Sequence, residues 1–232
     1  MWDKPGLLNA VANLLFAGAL MLATYGTGLF IVRQPVFALH ELRVSNSLIH
    51  VTSDQIEEVA GQDIAGNFFT LDLERLRTGF ERLPWVRSAD VRREWPDRVN
   101  VTLEEQVPLA RWGNDALVNI HGEVFAAAYD GVLPVFIGPD AASAKEIAVQ
   151  YDYFRRALAA LDDAPAQVQM SLRRAWRLQL TSGLTLELGR DDIEARLDRF
   201  VAAYARTVGQ LPHRPDYVDL RYSNGFAVRV PG

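Results

Sequence analysis

From Pro5 through Val32 no charged side chain interrupts a run of Leu, Ala, Phe, Val and Gly. Wound as a helix at 1.5 Å per residue, this run is about 42 Å long, enough to cross a hydrocarbon core of about 30 Å with tilt or overhang. A signal peptide has a shorter apolar region, roughly 7–15 residues, and a small-residue cleavage site. A buried helix of this length and apolarity would be out of proportion to the rest of the chain. The pattern therefore predicts an uncleaved transmembrane helix over 7–32, preceded by a short tail at 1–6. Gln34-Pro35 closes it, because proline cannot continue a helix.

Beyond that point the period changes. Phe37, Leu39, Leu42 and Val44 suggest a first strand over Phe37–Val44. Thr52-Ser53-Asp54-Gln55 has the form of a capping box opening a helix that carries Ile56 and Val59 and stops at Gly61. After Gly66-Asn67, Leu73, Leu76, Phe80 and Leu83 fall at helical spacing until Pro84. Val86–Glu94 and Arg98–Gln106 read as strands on either side of Trp95-Pro96. In the second, Val99, Val101 and Leu103 alternate with Asn100, Thr102 and Glu104. The order β-α-α-β-β in this compass is that of a POTRA module, placed at residues 36–106.

The segment 107–232 begins with short strand candidates at Ala110–Trp112, Leu117–Ile120, Val124–Ala127 and Leu133–Ile137, separated by turn signals. A helix follows over Ala141–Leu161, then a hairpin of Arg174–Leu180 and Leu184–Leu188. Asp191–Gln210 is a second amphipathic helix with an acidic start. Tyr217–Tyr222 and Phe226–Val230 form a last hairpin around Asn224-Gly225, a two-residue turn signal. The fold class expected is α+β: one membrane helix, a POTRA domain and a mixed β domain with flanking helices.

Charge changes the picture only by exclusion. A formal net charge of −5 with no clustered basic face argues against nucleic acid. Arg92-Arg93 and Arg173-Arg174 read as solvated sheet positions. Basic residues around the membrane helix do not decide its orientation: Lys4 precedes it and Arg33 and Arg43 follow. The absence of cysteine is a mild pointer to an oxidising compartment, and it excludes thiol catalysis and cysteine–zinc sites. The four histidines, His40, His50, His121 and His213, have no metal-ligand spacing. No nucleophile elbow, P-loop or dinucleotide fingerprint occurs. Asp162-Asp163 suits a helix end and Asp191-Asp192 a helix cap. The expectation is a protein without enzymatic activity, cofactor, metal or small-molecule substrate.

Binding features carry more. A C-terminal hairpin can end a sheet, and an open edge offers backbone groups to a second chain. Arg221 and Tyr222 are residue types enriched in binding hot spots, although a packed Tyr222 and a solvated Arg221 satisfy the same pattern. Asn9 and Asn13, four residues apart, suit either a helix–helix contact or the headgroup region.

In order along the chain stand Leu83-Pro84-Trp85-Val86-Arg87, Val91-Arg92-Arg93-Glu94-Trp95-Pro96-Asp97 and Glu105-Gln106-Val107-Pro108-Leu109-Ala110-Arg111-Trp112. Leu133-Pro134, Gly138-Pro139, Arg173-Arg174-Ala175-Trp176, Leu188-Gly189-Arg190 and Tyr217-Val218-Asp219-Leu220-Arg221-Tyr222 follow. This set, spanning nearly the whole chain, resembles the FtsQ/DivIB family of bacterial cell division proteins. The resemblance implies a cytoplasmic N-terminus, periplasmic domains, an inner-membrane location at the division septum, and a non-enzymatic bridging role between early and late division proteins. It implies FtsB and FtsL as partners, with FtsB adding a strand to the C-terminal edge of the β domain. Carried over, that surface comprises Arg221, Tyr222, Asn224, Gly225 and Phe226, with Arg173, Arg174 and Trp176 nearby. Asn224 and Phe226 depart from the family pattern. The resemblance also links Val91 and Arg93 of the POTRA domain to septal recruitment, while Val91 equally suits the sheet core. The alternatives are a POTRA-type chaperone or secretion-assembly module of the envelope, and a membrane-tethered enzyme. A secretion factor of that type would close with a long β-barrel, for which the chain has no room.

Overall fold

The computed structural model describes residues 5–32, 37–64 and 66–230. Most of the expected tail, Met1–Lys4, and the helix stop at Gln34-Pro35 lie outside them. The first element, α1 (Pro5–Val32), is one unbroken helix. Its stretch Asn9–Ile31 is long and apolar enough to cross a membrane, and none of it is buried in the protein. Leu14, Phe16 and Met21 stand exposed around it, a surface that water disfavours and lipid accepts.

The chain divides into two compact units, the first, which includes α1, ending at Glu105 and the second beginning at Gln106. Beyond α1, the first is built from β1 (Glu41–Val44), α2 (Ser53–Asp63), α3 (Leu73–Glu81), β2 (Val86–Glu94) and β3 (Arg98–Glu105). Strand β3 is central, parallel to β1 and antiparallel to β2. Its alternation buries Val99, Val101 and Leu103 against Leu76 and Phe80 of α3, as a period of two requires of a half-covered sheet. The capping box of α2 is complete: Gln55 N–H donates to Thr52 Oγ1 (3.4 Å), and Thr52 N–H donates to Gln55 Oε1 (3.0 Å).

Two of the boundaries that differ from the sequence pattern have a clear cause. Strand β1 starts at Glu41 rather than Phe37, because β3 offers its first partner, Arg98, only there. Phe37 instead accepts a hydrogen bond from Phe68 N–H (2.9 Å). Helix α2 runs past Gly61 to Asp63, whose carboxylate is held by Arg75 Nε at 2.8 Å.

Glu105 ties the end of β3 to the turn before α2. Its carboxylate accepts from the backbone N–H groups of Ile49 (2.8 Å), His50 (2.8 Å) and Val51 (2.9 Å). Burial pushes its pKa up, but these three donors outweigh burial and hold the carboxyl below its ordinary value. A depressed folded-state pKa stabilises fully above the unfolded value, about 4.3 for Glu, and that stabilisation is lost as pH falls through the folded value. Hydrogen exchange at the Ile49–Val51 amides should therefore accelerate below about pH 4 relative to the β3 core. Glu105→Gln should give fast exchange there at neutral pH already. Unchanged protection in the variant would contradict this role.

The second unit is one sheet of nine strands among the described residues, in the order β12-β11-β10-β9-β8-β7-β4-β5-β6. These are β4 (Pro108–Trp112), β5 (Ala116–Asn119), β6 (Val124–Phe125), β7 (Val135–Ile137), β8 (Pro165–Met170), β9 (Trp176–Leu180), β10 (Thr185–Gly189), β11 (Tyr217–Asp219) and β12 (Ala227–Arg229). Helices α4 (Ala144–Leu158) and α5 (Ile193–Tyr204) pack on each other and against β8 and β10. Phe136, Phe154, Leu178, Leu186, Leu197 and Phe200 form the heart of this core.

Periodicity assigns no element to β8, whose Pro-Ala-Gln-Val-Gln-Met has only two large apolar residues at the alternating positions, Val168 and Met170, yet it pairs with both β7 and β9. The expected helix over 141–161 is an α-helix flanked by single 3-10 turns, and that over 191–210 ends at Tyr204 with a 3-10 turn at Val208–Gln210. Asp192 does not cap α5 with its side chain; it sits at φ 50° and turns the chain into the helix through its backbone. Arg173-Arg174 occupies the β8–β9 turn rather than the sheet, with Arg174 at φ 58°. The last hairpin is also looser than Asn224-Gly225 predicts. Its strands are three residues each, paired from Tyr217↔Arg229 to Asp219↔Ala227, and residues 220–226 form the connection.

Candidate functional site

The nine-stranded sheet ends at β12, which pairs on one side with β11 and on the other has no strand partner among the described residues. Asp216 and Arg229 fasten the hairpin with an ion pair at 3.1 Å, and the Arg229 guanidinium lies 5.1 Å from the centre of the Tyr217 ring. Backbone groups on such an edge can accept an added strand.

The connection 220–226 is shaped by contacts that a tight turn would lack. Leu220 is buried and its N–H donates to Glu187 O (2.9 Å). Arg221 folds back on Asp219, donating from Nε (2.9 and 3.1 Å) and Nη2 (2.6 Å). That arginine holds the Asp219 carboxyl below its ordinary pKa, and the aspartate raises that of the guanidinium. Arg199 of α5 donates to the carbonyls of Ser223 (3.0 Å) and Tyr222 (3.3 Å). Phe226 packs edge-to-face on Phe200 of α5, ring centres 5.6 Å apart. Tyr222 stands out of this scaffold, 58% exposed.

Arg221, Tyr222, Asn224, Gly225 and Phe226 thus lie on one loop beside the sheet edge. Arg173 and Arg174 lie at the same end of the sheet, because β9 begins where β10 and β11 end. Arg174 pairs with Glu146 of α4. Arg173 is exposed and makes no ion pair among the described residues. Trp176 is not on this surface. It is 3% exposed, in edge-to-face contact with Phe154 inside the core. The alternation of β9 turns Trp176, Leu178 and Leu180 inward, so Trp176 belongs to the core beneath this surface.

Sequence reasoning missed Asp219, Arg199 and Arg229. Asp219 and Arg221 stand two apart, a same-face spacing on a strand that could have flagged the pair. Arg199 reaches the loop only through the packing of α5.

In the POTRA unit, Val91 pairs with Val101 and packs against the core, half-buried. Arg93 donates to the carbonyls of Phe68 (2.7 Å) and Leu71 (2.6 Å), locking the segment before α3 to β2.

Comparison with known proteins decides the family. Residues 37–106 match the model for the FtsQ-type POTRA domain, and residues 110–221 match that for the C-terminal part of cell division protein FtsQ/DivIB. The chain belongs to the FtsQ/DivIB family. It is 44% identical over 234 residues to cell division protein FtsQ of Nitrosospira multiformis, covering 99% of each chain. Identity to FtsQ of Burkholderia pseudomallei is 39% over 239 residues, 100% of this chain and 95% of that one. For FtsQ of Neisseria gonorrhoeae it is 33% over 231 residues, 99% and 95%. Membership in FtsQ/DivIB gives the chain a role in the division machinery, as a structural component with divisome proteins for partners. Together with α1 it makes this a single-pass membrane protein.

Proposed function

We propose that this protein is a divisome scaffold that links early and late division proteins at the septum by binding the FtsB–FtsL pair, without catalysing a reaction. In this reading the N-terminus is cytoplasmic, both globular units are periplasmic, and a strand of FtsB extends the sheet alongside β12. The observation that carries it is the open edge of β12 next to a braced loop with an exposed tyrosine. Backbone pairing would supply affinity, and side chains flanking the edge would select the partner. Tyr222 is the anchor. Arg173 and the Nη1 of Arg221 are the cations for acidic residues of FtsB, a contact suited to guanidinium. Val91 and Arg93 would act in septal recruitment through the exposed side of β2, the other strand flanking β3.

The role is tested in cells. A fluorescent fusion should concentrate at midcell, and depletion should give filaments that fail to divide. Uniform membrane fluorescence with normal division after depletion would overturn the proposal.

A further inference from the structure

A second surface lies at one end of the POTRA sheet. There β1 starts, β2 ends and β3 starts, since Glu41 and Glu94 both stand opposite Arg98. The β2–β3 connection carries Trp95, 80% exposed. His40, just before β1, donates its N–H to Asp97 O (3.1 Å), and its Nδ1 lies 3.3 Å from the Asp97 carboxylate. Arg93, two residues before Trp95, binds the carbonyl of Phe68. Phe69 is 45% exposed and packs edge-on against both Phe37 (5.0 Å) and Phe68 (5.2 Å). One end of a small sheet therefore gathers a projecting tryptophan and a partly open phenylalanine cluster.

Connectivity bounds how far this end can lie from α1. Phe37, bonded to Phe68, follows Val32, the last residue of α1, by five peptide steps, which span at most about 18 Å when fully extended. The apolar stretch of α1 ends one residue earlier, at Ile31, so a bilayer crossed by α1 keeps Phe37 within about 22 Å of the edge of its hydrocarbon layer. Tryptophan is the side chain that most favours the headgroup region, where its ring is sheltered and its N–H stays wet. Charge does not supply the attraction. Arg98 pairs with Glu41 (3.0 Å) and Arg92 with Asp90 (2.7 Å), beside Glu94 and Asp97.

The geometry points to a membrane-docking function for this end of the POTRA domain, with Trp95 inserted among the lipid headgroups and Phe69 seated beside it. The ligand is a phospholipid interface, zwitterionic lipid sufficing. Docking would fix the orientation of the POTRA domain at the bilayer surface. The inference rests on α1 crossing the membrane, which carbonate extraction tests separately.

The natural absence of cysteine allows single spin labels in the full chain. Glu94→Cys places one beside Trp95, and Ile49→Cys, 87% exposed beside Glu105 at the opposite end of β3, serves as control. In phosphatidylethanolamine proteoliposomes the label at 94 should be shielded from a water-soluble relaxation agent and exposed to oxygen, and the label at 49 the reverse. Adding Trp95→Ser should abolish the shielding at 94, and added anionic lipid or salt should not change it. Because Trp95 projects from the fold, amide exchange in the β3 core should stay the same in that variant. Aqueous accessibility at 94 equal to that at 49 would overturn the proposal, as would shielding that survives Trp95→Ser. Shielding that appears only with anionic lipid would also overturn it in the form stated.

Discussion

Replacing Tyr222 with alanine is expected to weaken binding of the soluble fragment 37–232 to the periplasmic parts of FtsB–FtsL about 30-fold or more. A central hot-spot aromatic is worth about 2 kcal/mol or more, and about 1.4 kcal/mol is tenfold in affinity. The loop that presents Tyr222 is held by groups other than its ring: Arg199 on the Tyr222 and Ser223 carbonyls, Arg221 on Asp219, and Phe226 on Phe200. Truncating an exposed ring should leave that bracing, and hence the unfolding temperature, unchanged. Calorimetric titration with a parallel melting curve checks both halves. Binding within about twofold of wild type, far below a hot-spot effect, would remove Tyr222 from the interface. Arg221→Glu is a less clean probe, because it sets a second carboxylate against Asp219 and disturbs the loop as well as the charge. Arg173→Glu reverses a charge that has no ion pair among the described residues, so an effect on binding would belong to the partner.

The second large effect concerns Trp176, where the same loss of binding would have a different cause. Removing a buried tryptophan costs about 3–5 kcal/mol, a large share of the about 5–15 kcal/mol that holds a domain together. Trp176→Ala should therefore lower the melting temperature of the β unit sharply and lose binding only through unfolding. Trp176→Phe can keep an edge-to-face contact with Phe154, so its binding should stay close to wild type. Reduced affinity in a Trp176→Phe protein that melts normally would put the indole at the interface, against its burial.

What the sequence made legible follows from which interactions are local. The capping box at Thr52 and Gln55, the alternation of β3 and the apolar run of α1 each depend on neighbours a few residues apart. Strand β8 escaped because its pairing with β7 and β9 outweighs a weak pattern of its own. The alternation of Trp176, Leu178 and Leu180 gave the hairpin. Which face was inward was fixed only by α4 and α5 closing over it. The loop 220–226 was legible in its residue types but not in its shape. Asn224-Gly225 favours a tight turn, and the contacts of α5 with the loop hold a longer one in place. The motifs that carry the family resemblance picked out residues that the fold gathers at one end of the sheet, but they could not separate those that face outward from Trp176, which is buried.

The claim that β12 is the docking edge is tested most directly by covalent capture in dividing cells. The chain contains no cysteine, so one cysteine introduced at the exposed Ala227 of β12 cannot form a disulfide within the chain. Paired with single cysteines along the FtsB segment, Ala227→Cys should cross-link with a two-residue alternation, the mark of an added strand. Cysteine at Phe125 of β6, the opposite edge of the sheet, should give no product. Cross-linking that favours β6, or none at β12 in cells that divide normally, would contradict the account.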